Sequence, residues 1–244
     1  MTLSPLGAMV YHRRMKRLSH TISLLLLLCF CAFAQSTADR GVARDGLYTN
    51  QSLGFSFKYP KDWVVHGEET KQRLKEIGKE KITKSGGLSE AATEVSLNNT
   101  HNLLTLFRYA VGTPGITFNP GIIVIAERVG HAPGITNGKD YLLNARMILQ
   151  RSGGQVPVEE PKEYSFGGSQ FFRDNYTTEV HGVTVVQSHF VLVTKGYALA
   201  FIFMGPDQKS VDEMATAMET FALAPPIRRG VTGTIDGAPP RKPK

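Results

Sequence analysis

Gly196-Tyr-Ala-Leu-Ala-Phe-Ile-Phe-Met-Gly-Pro-Asp207, followed by Ser210-Val-Asp-Glu-Met-Ala-Thr-Ala-Met-Glu-Thr-Phe-Ala-Leu223, decides the fold. In an extended strand Tyr197, Leu199, Phe201 and Phe203 point one way and Ala198, Ala200, Ile202 and Met204 the other. Both faces are apolar, so the strand is expected at the centre of a sheet with cover on each side. Gly205-Pro206 stops it, because proline has no N–H for the ladder. Ser210 and Glu213 have the spacing of a capping box. Val211, Met214, Ala215, Met218, Phe221 and Ala222 then fall on one stripe of a closing helix that Pro225-Pro226 ends.

Upstream of this unit the chain reads as a meander. Strands are expected at Lys162–Phe166, Ser169–Val180, Val183–Thr194 and Tyr197–Met204, separated by Gly167-Gly168, His181-Gly182 and Lys195-Gly196. Each is a two-residue turn ending in glycine, which accepts the positive φ of tight hairpins. Leu103–Val111 and Gly121–Val129 read as two further strands around a Gly/Pro-rich loop at residues 112–120. A helix is expected from Lys139 to Arg151, with Tyr141, Leu142, Ala145, Ile148 and Leu149 on one face and Gly153-Gly154 at its end. Nearer the start, residues 47–50 and Phe55, Phe57 and Tyr59 predict an aromatic hairpin, with Trp63 as a core anchor. The sum is an α+β domain in which an antiparallel sheet of about seven strands is sandwiched by helices.

The first 34 residues carry a sorting signal. Arg13, Arg14, Lys16 and Arg17 precede an uncharged apolar run from Thr21 to Phe33, and Ala32-Phe33-Ala34 supplies the small residues of a cleavage site after Ala34. The run is shorter than the roughly 20 residues of a membrane span, and Met15 is an alternative start. The predicted address is secreted or periplasmic. The whole chain has 28 Lys+Arg and 21 Asp+Glu; the signal holds four of the basic and none of the acidic residues, so the remainder is near neutral at +3. No nucleic-acid footprint remains. Both cysteines, Cys29 and Cys31, leave with the signal, so a disulfide or thiolate ligand is not expected afterwards. Residues 35–45 read as a linker, 46–224 as one domain with a charged insertion at 68–99, and 225–244 as a disordered basic Pro/Gly tail. Within the insertion, residues 68–84 and 88–97 fit either a solvated helix pair or a mobile segment.

The elements in this order, with "GFSFKYPKDW" at residues 54–63 and "KGYALAFIFMGPDQ" at 195–208 running into "METFAL" at 218–223, resemble the superfamily of PsbP-like and DcrB-like exported proteins and the Ran-binding nuclear-import release factor. The resemblance covers residues 46–224. It implies an α-β-α sandwich and non-enzymatic roles in assembly or binding. The charged insertion and the basic tail depart from the plainest members.

Chemistry is sparse. The histidines after the signal are His66, His101, His131, His181 and His189, none in a His-Glu-x-x-His or comparable ligand spacing. His189 shares a strand face with Gln187 and Val191. A ligand or metal site assembled from separated loops would draw on His66, His101, Glu127 and His131. There is no Gly-x-Ser-x-Gly elbow, Walker pattern or dinucleotide fingerprint. Glu159-Glu160 fall in a loop, where burial does not tune them for acid-base work. No cofactor is expected. The leading expectation is an exported, non-catalytic binding or assembly module for a protein or envelope partner, with no stable membrane span after signal cleavage. A small exported enzyme or metal protein is the alternative, and an envelope component tethered by the basic tail a third.

Overall fold

The computed structural model describes residues 40–84, 89–180 and 182–223. The predicted signal, the alternative start, residues 35–39 of the linker, His181 and the basic tail lie outside the described residues. In chain order the elements are β1 (Val42–Arg44), β2 (Leu47–Asn50), β3 (Phe55–Lys58), β4 (Val64–Val65), α1 (Glu68–Lys84), α2 (Glu90–Asn99), β5 (Thr100–Phe107) and β6 (Gly121–Arg128). There follow α3 (Gly138–Arg151), β7 (Lys162–Phe166), β8 (Ser169–Val180), β9 (Val183–Thr194), β10 (Tyr197–Gly205), α4 (Gln208–Ala215), a 3₁₀ turn at Thr216–Thr220, and β11 (Ala222–Leu223).

β10 is the middle strand of a seven-stranded sheet of order β4-β5-β6-β10-β9-β8-β7, antiparallel throughout. Its two apolar faces are covered differently. Tyr197, Leu199, Phe201 and Phe203 join the larger core, which includes Phe55, Phe57, Phe171, Phe190, Met218 and Phe221. Phe201 meets Phe57 edge-on at 5.3 Å and Phe55 at 5.6 Å between ring centres, while Phe171 meets Phe221 at 4.9 Å. Edge-on pairs of this kind add about 0.5–1.5 kcal/mol each beyond area burial. Ala198, Ala200 and Ile202 face α3, packing with Leu142, Val191 and Val129. The small side chains let the helix come close to the sheet. At Gly138 an added Cβ would lie 2.2 Å from the Val191 carbonyl oxygen, so only glycine permits this approach.

The aromatic hairpin does not extend the main sheet. β2 and β3 pair with β1 and β11 in a separate four-stranded sheet of order β1-β2-β3-β11 that covers the Phe201 face. The stretch expected as linker therefore contains a strand. Asp45 (φ 51°) and Gly46 (φ 79°) form the turn into β2, and Tyr48 Oη donates to the Arg40 carbonyl at 2.6 Å.

Three boundaries differ from expectation for local reasons. Asp207, rather than Ser210, caps α4: its carboxylate accepts from the Ser210 N–H at 2.7 Å and the Ser210 hydroxyl at 2.8 Å. The closing helix breaks into a 3₁₀ turn where the hydroxyls of Thr216 and Thr220 donate back to the Glu213 and Ala217 carbonyls. Its stripe stays buried through Phe221, but Ala222 lies exposed in β11. β5 begins at Thr100 and ends at Phe107, because Asn119 takes over the backbone of Tyr109, accepting from its N–H at 3.0 Å and donating to its carbonyl at 2.8 Å. The charged insertion is a pair of helices in contact, α1 with α2, and α2 also reaches β5 and β6.

Phe201 touches the rings of Phe55, Phe57, Phe171 and Phe221. Phe201→Ala is expected to lower the unfolding free energy by about 3–5 kcal/mol, measured by urea denaturation. A loss under about 1 kcal/mol would show that β10 is not the packing centre.

Candidate functional site

β8 and β9 are each 12 residues long, whereas β7 has five. β7 pairs only with Ser169–Arg173, so β8 runs on from Asp174 to Val180 with no strand beyond it among the described residues. Which backbone groups face this free edge follows from the ladder. Phe166 and Ser169 flank the two-residue turn Gly167-Gly168 and therefore form a hydrogen-bonded pair, so Ser169, Phe171 and Arg173 bond to β7 and the alternate residues of β8 bond to β9. Counting along β8, residues 174, 176 and 178 bond to β9, and Asn175, Thr177 and Glu179 direct their N–H and C=O outward. The Asn175 N–H is taken by the Asp174 carboxylate at 3.1 Å. Thr177 and Glu179 keep an outward pair each.

The step where β7 stops is held by α3. Asn137 caps this helix, accepting from the N–H groups of Lys139 (2.8 Å) and Asp140 (3.1 Å). Asp140 returns the box by accepting from Asn137 and from the Thr136 hydroxyl, and that hydroxyl bond holds its carboxyl below the usual range. So fixed, the helix carries Arg146 to Asp174, with two bonds of 2.7 Å to the carboxylate. The same guanidinium donates to the backbone carbonyls of Pro157 (3.2 Å) and Glu159 (2.5 Å), which ties the connection after α3 to β8. The pair is nearly closed to solvent, with side-chain exposures of 11% and 3%. Its hydrogen bonds raise the Arg146 pKa further.

Between that connection, β7, β8 and α4 lies a polar cleft of about 510 Å³, lined by residues including Glu159, Lys162, Tyr164, Arg173, Asn175 and Asp212. Arg173 forms its floor. It stacks 5.1 Å from the Phe190 ring, bonds the Ser188 hydroxyl (2.7 Å) and Asn175 (3.0 Å), and pairs with Asp212 of α4. At the rim Lys162 pairs with Glu159 at 2.6 Å and Lys139 with Glu160 at 2.9 Å. The hydrogen bond to Lys162 lowers the Glu159 pKa. Both rim carboxylates are exposed. The arrangement offers fixed donors, an aromatic wall and paired charges, the features of a recognition surface.

On the α3 side of the sheet, His189 lies opposite Asp174 in register, 4.7 Å from the Tyr176 ring, with Nε2 2.9 Å from the Gln187 amide oxygen. Burial pushes its imidazole down to about 4, so it is neutral at physiological pH. Burial likewise raises the Tyr176 phenol.

The residues expected for a loop-assembled site stand apart. His66 lies between β4 and α1, its ring edge-on to Phe107 at 5.1 Å and its Nδ1 3.3 Å from the Thr70 hydroxyl; burial lowers its pKa. Glu127 sits at the other end of β6, opposite Thr100, and accepts from Tyr141 (2.7 Å) and Ser96 (3.2 Å), joining α3 and α2 to the sheet. Burial raises the Tyr141 phenol well above its ordinary value. His101 pairs with Ala126, so it points to the face opposite Glu127; burial and Arg128 lower its pKa. His131 is exposed in the loop after β6. The groups that do converge, Arg146, Asp174, Arg173 and Asp212, are absent from the sequence expectation. The one signal was Arg173-Asp174 directly after Phe171-Phe172, two charges inside a strand.

No protein-family model matches the chain, and no curated protein matches its sequence. Among solved structures it is similar to a Bacteroides thetaiotaomicron protein at 11% identity and a TM-score of 0.43, covering 75% of this chain and 50% of that one. It is also similar to LpqN, involved in cell envelope biogenesis of Mycobacterium tuberculosis (13%, 0.39, 70% of this chain and 83% of that one). A third is the cyanobacterial PsbP of Synechocystis (13%, 0.41, 78% and 99%). The chain thus spans half the length of the Bacteroides protein. One of the three is a PsbP, a family the sequence resembles. The likeness is one of chain path at low identity, and no residue role is carried across on it.

Two outcomes follow from this geometry. Arg146→Ala leaves the buried Asp174 carboxylate without its guanidinium partner, and is expected to cost about 3–5 kcal/mol. Adding Asp174→Ala should cost less than the two single losses together by at least about 1 kcal/mol; strict additivity in urea denaturation would refute the pairing. For His189 the folded pKa of about 4 lies below the unfolded value of about 6.5. Unfolded chains therefore take up a proton that folded chains refuse, and stability present above about pH 6.5 declines as the pH falls toward 4. His189→Gln should flatten, without abolishing, the slope of unfolding midpoint against pH, since burial depresses His66 and His101 as well. An unchanged slope would contradict the assignment.

Proposed function

We propose that the chain is an exported, non-catalytic binding or assembly module that recognises a protein of the cell envelope by strand addition to β8. The free edge of β8 carries this reading: outward backbone groups at Thr177 and Glu179, beside a cleft whose charges and rings are fixed in place. An added strand supplies affinity through main-chain bonds, and the cleft reads the partner's side chains. The signal-like segment at residues 1–34 supports export, and the paired, exposed carboxylates of the cleft suit recognition better than proton transfer.

Proline at position 177 tests this. It removes an outward donor and leaves the β8–β9 ladder intact, a substitution that edge strands tolerate. Affinity capture from an envelope extract with wild-type chain and Thr177→Pro should retain a partner in the first case and lose it by about tenfold in the second, at an unchanged melting temperature. Equal retention of that partner by both chains would overturn the proposal.

A further inference from the structure

Residues 108–120 join β5 to β6 as a finger whose base continues the ladder past its last pair, Phe107 with Gly121. Residues 108–117 are all exposed, including Tyr109 (36%), Val111 (54%) and Ile116 (37%). From Thr100 to Ala126 the sequence holds one charged side chain, Arg108, and no carboxylate. Exposed surfaces ordinarily carry roughly 25–35% charged residues, so an uncharged finger with aliphatic side chains at its tip calls for an apolar environment.

From these observations we infer that this finger inserts its tip into the interfacial zone of a phospholipid bilayer. The order of residue types along it matches the order of environments met on entry. Arg108 stands at the base, level with where phosphates would lie, and its guanidinium sits 5.6 Å from the Tyr109 ring. Tyr109 and half-buried Phe118 form the shank, as aromatic residues do at the headgroup level. Val111 and Ile116 are at the tip. Part of the backbone is closed on itself. At the tip the Ala110 carbonyl accepts from both the Thr113 N–H (3.2 Å) and the Thr113 hydroxyl (2.7 Å). At the base Arg108 N–H donates to the Pro120 carbonyl (3.0 Å), and Asn119 closes the Tyr109 backbone from both sides. The base and this turn are thus formed before contact, which lowers the ordering cost of binding. A contact of this size gives weak, reversible binding, comparable to a single lipid chain.

The test uses the full chain with Cys29→Ser and Cys31→Ser, carrying an environment-sensitive fluorophore on Val111→Cys or, as a control, on Val158→Cys, a fully exposed position in the connection after α3. Vesicles of phosphatidylethanolamine and phosphatidylglycerol are titrated in. A blue shift with rising intensity at position 111, and none at 158, is the expected result. Ile116→Asp in the 111-labelled chain should weaken the half-maximal response by about tenfold or more. Because the apolar run at residues 21–33 can bind vesicles by itself, co-sedimentation with a silent probe at 111 overturns the inference. So does an equal shift at 111 and 158, which marks non-specific adsorption, or an unchanged response in Ile116→Asp.

Discussion

The whole arrangement depends on a strand that cannot expose either face. β10 is apolar on both sides, and burying both requires two kinds of cover. On the face with large rings, the small sheet of β1, β2, β3 and β11 brings Phe55 and Phe57 onto Phe201, and the chain's last turn brings Phe221. On the face with Ala198 and Ala200 there is room for a close helix, and Gly138 lets α3 settle against the Val191 backbone. The different depths of the two faces thus assign sheet to one and helix to the other.

The position of α3 fixes the polar site. Once its first turn is seated by Gly138 and capped by Asn137, the helix axis delivers Arg146 to Asp174, and the connection that follows is held by the same guanidinium. A buried ion pair is a poor source of net stability, because desolvation offsets most of its attraction. What it provides is geometry. It holds the 157–160 segment beside the end of β7, so the step onto β8 becomes a defined cleft rather than a loose corner. Arg173 and Asp212 do the same from the opposite face, tying β8 to α4. The edge between these clamps is left with its main-chain groups directed outward.

Much of this architecture was legible in the sequence. The doubly apolar β10, the turns at Gly167-Gly168 and Lys195-Gly196, and the α3 stripe all rest on local patterns of two to four residues, and those patterns hold in the structure. Lys195 and Gly196 both adopt positive φ, as a two-residue hairpin turn requires. The features missed were those settled by competition or by distance. Asp207 and Ser210 are both good caps, and which one starts the helix depends on where β10 releases the chain. β1 and β11 are three and two residues long and exist only because β2 and β3 offer edges. The converging charges were invisible for a different reason: Arg146 and Asp174 lie 28 positions apart, and Arg173 and Asp212 lie 39 apart. No spacing rule joins such pairs. The histidines drew attention by residue type, yet strand parity sends His101 and Glu127 to opposite faces.

The most direct test of the account is residue-resolved amide exchange along β8, first for the chain alone and then with its captured partner. Alternation is expected in the free chain, with Thr177 and Glu179 exchanging quickly while Tyr176 and Thr178 are protected. Addition of the partner should protect Thr177 and Glu179. Slow exchange at both in the free chain would mean that the edge is already covered. Fast exchange that persists in the complex would mean that the partner binds elsewhere, and either result would contradict recognition by strand addition.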